Sequence, residues 1–207
     1  MFRDRKDAGQ QLAQMISIFR TEDPLIAAIP RGGVEVGLTA AEQLGFNFAI
    51  LIARKLPFPH NPESGFGAIT EDGSKVILKE STKSLTSDEI EHIISEQKEE
   101  IIRRKKVLRR GRDFPDIDGR SVILVDDGIA MGSTMKAAVK MCRNGKAKKI
   151  IVAVPVCSPR IISEFKNLVD DIMALETPPN FRAVAQVYDI WYDVDDQEVL
   201  ELLKKNR

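Results

Sequence analysis

Asp126 and Asp127 close the apolar run Val122-Ile123-Leu124-Val125, and Gly128, Ile129, Ala130, Met131, Gly132, Ser133 and Thr134 follow them. A strand buried on both faces delivers such an acid pair to the carboxyl edge of a sheet, where α/β proteins bind ligands. Gly128 and Gly132 allow a tight backbone turn, so that amides near Ser133 and Thr134, at a helix opening near Met135, can face an anion. Two adjacent acids repel a phosphate, so the acids and the amides must divide one ligand between them. A ribose 5-phosphate has both ends: vicinal hydroxyls that donate to Asp126 and Asp127, and a phosphate for the loop. Each aligned charge-assisted bond contributes about 1.5–3 kcal/mol. Asp-Asp-Gly also ends core strands as a plain turn. The second glycine, the Ser-Thr pair and the following helix favour the ligand loop.

A second segment, Ala28-Ile29-Pro30-Arg31-Gly32-Gly33-Val34, repeats this logic with an arginine in place of the acids. Its glycines expose backbone amides and its guanidinium can hold an anion with two bonds. Alone, such a turn is an ordinary strand-to-helix link; beside the acid-pair loop it adds a second anion site. A further strand ends Ala53-Arg54-Lys55, bringing two more cations to the same edge or simply charging the surface. The stretch Leu56 to Gly67, with Pro57, Pro59, Pro62, Gly65 and Gly67, suits a loop that closes over a ligand and equally a long connection. His60 within it reads first as a solvent-exposed loop residue.

These motifs need a scaffold, and the periodicity supplies one. Ala8, Leu12, Met15 and Phe19 recur at helical spacing. Leu25 to Ile29 reads as a buried strand, Val34 to Leu44 as a helix and Asn47 to Ala53 as a second strand, a βαβ rhythm. Phe66 to Thr70 and Lys75 to Lys79 flank Glu71-Asp72-Gly73-Ser74, a hairpin expected to interrupt the parallel sheet. Thr86 opens a long charged helix to about Arg109 whose apolar stripe is thin, the pattern of a solvated helix. After the acid-pair loop, a helix over Thr134 to Arg143, a strand over Lys149 to Val156, a helix over Pro159 to Lys166 capped by Ser158 and a strand over Val169 to Leu175 continue the rhythm. It breaks at Glu176-Thr177-Pro178-Pro179. A helix from about Asp196 to Lys205 follows the aromatics Phe181, Tyr188, Trp191 and Tyr192. The expected fold is α/β, a doubly wound, mainly parallel sheet flanked by helices.

At 207 residues the chain can bury about 70% of its unfolded surface in one large domain. Lys plus Arg and Asp plus Glu number 31 each, so no bulk field draws nucleic acid or membrane, and any anion site is local. No apolar run approaches the roughly 20 residues of a membrane span, and no signal-peptide core follows Met1-Phe2-Arg3-Asp4-Arg5-Lys6, so a cytoplasmic location is expected. Cys142 and Cys157 read as buried, reduced thiols.

The acid-pair segment resembles the phosphoribosyl pyrophosphate (PRPP) motif of type I phosphoribosyltransferases, a hydrophobic strand, two acids and a loop ending Thr-Gly-x-Thr. By that resemblance Asp126 and Asp127 are the ribose-binding acids, and the loop through Gly128, Ala130, Met131, Gly132, Ser133 and Thr134 is the 5-phosphate site. Met131 departs from the family, which usually has a threonine there. Arg31, Gly32 and Gly33 resemble the loop that contacts the diphosphate leaving group, with Arg54 and Lys55 as further pyrophosphate-binding cations and Leu56 to Gly67 as the lid. Asp126, Asp127, Arg31 and Lys55 would then be catalytic, the acids favouring positive charge on the ribose and the cations drawing charge from the pyrophosphate. Mg²⁺ is the implied cofactor, bound mainly through PRPP and not by a protein cage.

Ala130 stands where 6-oxopurine enzymes carry an aspartate and argues against that branch. The implied hood, about residues 176–207 with the N-terminal helix, offers Ile129, Phe181, Tyr188 and Trp191 to an acceptor, although aromatics there also serve packing. The core is expected over about 20–175 and an insertion over about 64–112. The Glu-Thr-Pro-Pro-x-Phe-x-Ala-Val run resembles stand-alone members with no assigned acceptor, and the resemblance covers most of residues 24–190. The implied partners are PRPP and a small-molecule acceptor, with no nucleic acid or membrane, and a homodimer is compatible. The implied reaction transfers ribose 5-phosphate from PRPP to a nitrogenous base or other acceptor. The alternative is a PRPP-sensing protein without transferase activity. A dinucleotide-binding domain fits poorly, because Gly128 and Gly132 do not form G-x-G-x-x-G.

Overall fold

Alternate residues of the apolar runs face opposite helical layers, which is why those runs read as continuous and not as amphipathic strands. In the computed structural model, which describes residues 1–205, the regular elements in chain order begin with α1 (Arg5–Ile16), β1 (Leu25–Ala28), α2 (Gly32–Leu44), β2 (Asn47–Ile50), β3 (Ala53–Phe58), β4 (Asn61–Thr70) and β5 (Lys75–Ile77). They continue with α3 (Ser87–Arg109), β6 (Ser121–Val125), α4 (Ser133–Asn144), β7 (Lys149–Val156), α5 (Pro159–Phe165), β8 (Asp171–Glu176) and α6 (Asp196–Lys205). Ile26, Ile123, Val125, Ile151 and Ala153 pack against Leu12, Ile16, Val36 and Ala40 of α1 and α2. Leu25, Ala27, Val122, Leu124, Val152 and Val154 pack on the other face against Met135, Ala138, Cys142, Ile161 and Phe165 of α4 and α5. The sheet is therefore doubly wound, as expected. Cys142 and Cys157 are free and buried, and burial pushes their thiols up to about 12 and about 11.

The sheet runs β2-β1-β6-β7-β8, with every neighbouring pair parallel. Chain order reverses between β1 and β6, where Ala28 is registered with Val125. That reversal is the switch point at which α/β sheets open a crevice beyond the carboxyl ends of their strands. The Arg31 loop leaves β1 and the acid-pair loop leaves β6, so both meet there.

Four sequence expectations are corrected. The strand expected over Asn47 to Ala53 stops at Ile50, and a new strand begins at Ala53. Leu51 still donates its amide to the Ala28 carbonyl at 2.9 Å, but the Ile52 amide turns to the Glu71 carboxylate at 3.0 Å, so the chain leaves the parallel sheet there. The hairpin does not interrupt that sheet; it joins a separate three-stranded sheet, β3-β4-β5. The Leu56 to Gly67 stretch is not a structureless connection but most of an antiparallel ribbon, with register shifts on either side of Pro57. A proline that cannot donate to a ladder is tolerated at such an irregularity. The long helix is not merely solvated. Thr86 and Glu89 cap it reciprocally, and Ile93, Ile94, Gln97, Ile101, Arg104 and Leu108 are buried. Its apolar members pack on Leu56, Phe66 and Ile69 of the second sheet, on Ile52 just before it and on Val199 of α6.

The chain's two end regions also meet. The Phe2 amide donates to the Val187 carbonyl at 2.7 Å and the Asp189 amide to the Phe2 carbonyl at 2.8 Å. No helix among the described residues is long and apolar enough to cross a membrane.

Candidate active site

β6 ends on the acid pair because its apolar residues are spent in the two cores and the chain must then re-enter water. Asp127 donates its amide to Asp126 Oδ1 at 2.8 Å. The Asp127 side chain is 15% exposed, and its Oδ2 accepts from Arg5 Nε at 2.9 Å. Arg5 is itself 3% exposed. It donates through Nη1 to the Tyr192 carbonyl at 3.0 Å and stacks 4.0 Å over the Trp191 ring. The Tyr188 hydroxyl donates to the Asp127 carbonyl at 2.8 Å, and its ring meets Phe2 and Trp191 at centroid distances of 5.5 and 5.2 Å. Arg5 thus fixes the second acid from one side and the aromatic group fixes Arg5.

One guanidinium does not neutralise two largely buried carboxylates. Burial, and then the neighbouring Asp127 charge, hold the Asp126 carboxyl well above the ordinary carboxylate range. Burial also raises Asp127, while Arg5 opposes the shift. The pair lacks about one positive charge, or an equivalent set of hydrogen-bond donors. Such a deficit marks ligand sites, where stability is given up for binding.

The Arg31 loop is packed onto this pair. A Cβ on Gly32 would fall 1.8 Å from Asp127 Oδ2, and one on Gly33 would fall 2.8 Å from Asp126 Cα. Only glycine permits that approach. Pro30 and Arg31 are joined by a cis peptide, and the Arg31 side chain stands in solvent. Beyond the acids, Gly132 has a left-handed backbone, φ 81°, that starts α4. No side chain caps α4 and its first turn holds no acid, so the amides about Ser133 and Thr134 are free of carboxylate competition. Ser133 is buried, Thr134 half-buried, and Ala130 and Met131 exposed.

The other expected site residues divide. Arg54 donates Nε to Gln97 Oε1 at 3.0 Å; burial lowers its pKa, and the charges of Arg104 and Arg31 among its neighbours lower it further. Arg54 is therefore the β3 cation within electrostatic reach of Arg31. Lys55 instead donates to the Glu63 carbonyl of its own ribbon at 2.6 Å. His60 lies exposed at the ribbon's turn. Ile129 is corrected as an acceptor contact: it is 3% exposed and packs in the core with Met135 and Ile161. Tyr188 is buried between Phe2 and Trp191 with its hydroxyl on Asp127, and the half-buried Trp191 carries Arg5 on its ring, so the structure gives both a packing role. Phe181 remains near the loop, lining a cavity of about 440 Å³ with Ala130, Met131 and Arg182.

Arg5 and Glu35 were not singled out from the sequence. Glu35, in the first turn of α2, is raised by burial with Arg5 opposing. A signal for Arg5 existed: it falls three residues before Ala8 and seven before Leu12, on the apolar stripe of α1. A charge on a core-facing stripe requires a buried partner.

Comparison with known proteins bears directly on this geometry. A model of the phosphoribosyl transferase domain matches residues 5–188. The chain belongs to the phosphoribosyl transferase family. Proteins of Mycobacterium tuberculosis strains CDC 1551 and H37Rv, provisionally named phosphoribosyl transferases, are 38% identical over 207 residues, which take in 99% of this chain and 47% of each relative. The chain thus spans about half the length of those relatives. The crystal structure of TT1426 from Thermus thermophilus superimposes with a TM-score of 0.81 at 33% identity, covering 99% of this chain and 98% of that one. The phosphoribosyl transferase match begins at Arg5 and ends at Tyr188, two residues that hold Asp127.

Proposed function

We propose that the protein is a PRPP-dependent phosphoribosyltransferase that passes ribose 5-phosphate to a nitrogenous base or other small acceptor and releases pyrophosphate. The observation that supports this reading is the packing of Gly32 and Gly33 against Asp127 and Asp126, so that the loop we read as the diphosphate site adjoins the acids we read as the diol site. The ribose hydroxyls donate to the carboxylate oxygens left open by Arg5 and by the Asp127 amide, and the 5-phosphate takes the amides at the start of α4. Arg31 holds the diphosphate, with Arg54 adding positive potential.

In this reaction the bond from the anomeric carbon to the pyrophosphate oxygen breaks, and its electron pair leaves with pyrophosphate. A lone pair on the acceptor forms the new bond. Positive charge builds on the ribose in between, and the carboxylates of Asp126 and Asp127 favour it electrostatically. Their unneutralised charge also fits Mg²⁺ held mainly through PRPP oxygens, with Asp126 as the protein group facing it. The ion would offset the diphosphate charge.

The test is a thermal-shift series with PRPP and Mg²⁺, followed by pyrophosphate release with a panel of bases. PRPP at about 100 times its Kd stabilises the fold by about 2.7 kcal/mol, or roughly 5–10 °C. Absence of any shift overturns the reading. A shift with no release across a broad panel replaces transfer by PRPP sensing.

A further inference from the structure

The basic carboxyl end of α3 does not merely face solvent; it walls a cavity that the transfer reaction leaves unused. This cavity, about 420 Å³, lies between the edge strand β2, α2, the end of α3 and α6. Its apolar lining comes from Leu38, Phe48, Ile50, Leu108, Leu200 and Leu203. Arg110, Arg112 and Lys204 stand among the same lining residues, and all three are exposed. None of the three has a carboxylate partner among the described residues. The single acid in the lining, Asp113, is paired with Lys105. In a chain whose fixed charges balance at 31 and 31, this is a local excess of about three positive charges beside an apolar hollow.

Arg109 belongs to the same wall and is held in place. Its side chain is 9% exposed and lines the cavity. Nη1 donates to the Ile50 carbonyl at 3.1 Å and Nη2 pairs with Glu71, but Nε is buried without a partner. Two of its three nitrogens are thus tied to the scaffold, which fixes that wall of the hollow. The volume falls within the range of small-molecule sites, about 300–1,000 Å³, and such sites combine apolar walls with a few placed polar groups.

We propose that this cavity binds an organic anion: an apolar ring or branched body bearing one carboxylate, sulfonate or phosphate. The body lies against Phe48, Leu108 and Leu203, and the charged head faces Arg110 and Arg112. No lining residue belongs to the acid pair, the Arg31 loop or the α4 amides, so the site is separate from the crevice at the switch point and does not depend on the proposed transfer. α2 carries Leu38 in the cavity and Gly32 at the crevice, so the two sites share one helix.

Anilinonaphthalene sulfonate is a suitable probe, titrated by fluorescence into the full chain with pyrophosphate and Mg²⁺ present to occupy the crevice. One saturable site is expected. Its Kd should rise at least about tenfold in the Arg110→Glu/Arg112→Glu variant, whose exposed positions leave the fold intact. Leu203→Trp, which fills the hollow, should weaken the probe to a similar degree, and the neutral analogue phenylnaphthylamine should bind at least about tenfold more weakly than the sulfonate. Equal affinity for both probes, an unchanged Kd in both variants, or full displacement by pyrophosphate overturns the proposal. Binding to phosphatidylglycerol vesicles without binding of the soluble probe also overturns it and assigns the patch to a lipid surface.

Discussion

At the end of β6 the two acids are largely buried and the protein holds them itself, whereas at the end of β1 the Arg31 side chain stands in solvent with no side-chain partner among the described residues. Asp127 takes hydrogen bonds from Arg5 and from the Tyr188 hydroxyl, and it backs onto Gly32. Asp126 takes one from the Asp127 amide. The acid-pair half of the crevice, which we propose takes the ribose, is therefore organised before any ligand arrives, at a cost expressed in the raised carboxyls. The Arg31 half, which we propose takes the diphosphate, has its backbone in place and its guanidinium exposed. The contrast teaches where changes should register: at β6 in folding and binding together, at β1 in binding alone.

The largest effect tests the support of β6. Arg5→Met leaves a buried carboxylate without its ion-pair partner and should cost about 3 kcal/mol of stability, or roughly 6–12 °C in Tm by calorimetry. Arg5→Lys should recover only part of this, because an ammonium cannot span both Asp127 and the Tyr192 carbonyl as the fork does. An unchanged Tm for Arg5→Met would remove Arg5 from any supporting role. Next, Gly32→Ala places a methyl on Asp127 Oδ2 and should weaken PRPP at least about a hundredfold in a calorimetric titration, with overpacking costing about 1–3 kcal/mol of stability. Wild-type affinity in that variant would break the account of why glycine is required.

Arg31→Ala tests the other end. It should weaken PRPP and pyrophosphate by about tenfold, the scale of one charge-assisted contact, and ribose 5-phosphate much less. Its Tm should stay within about 1 °C, since an exposed side chain is removed. Equal losses for all three ligands would take Arg31 out of the diphosphate site. The smallest effect has the opposite sign. The Asp126 carboxyl is raised above its unfolded value, so as pH climbs past the ordinary carboxylate range the folded state keeps a proton that the unfolded chain has lost, and stability falls. Asp126→Asn removes that liability while retaining an acceptor for the Asp127 amide. It should raise the ligand-free Tm at neutral pH by about 2–4 °C, near 1 kcal/mol, and flatten the pH dependence, while weakening PRPP. A lower Tm would show that the acid is not strained in the free protein.

The parallel sheet was legible because its central strands β1, β6 and β7 are apolar on both faces and the turns after β1 and β6 carry glycines and charges whose chemistry is local. The acid pair, Arg31-Gly32-Gly33 and the α4 start were legible for the same reason. The Arg5–Asp127 pair joins residues 122 apart, and local periodicity carries no record of such a partner. The second sheet was obscured by Pro57, Pro59 and Pro62, which read as a connection until the shifted register shows how Pro57 is absorbed. That sheet in turn explains α3: Gln97 and Arg104 look solvated in a helical pattern, yet they are buried.

The most direct measurement is calorimetric titration of PRPP with Mg²⁺ into the wild-type chain and into Asp127→Asn at matched pH. The account predicts saturable 1:1 binding to the wild type and at least about tenfold weaker binding to the variant, the scale of one charge-assisted hydrogen bond. Equal affinity in the two proteins, or no binding to the wild type, would contradict it.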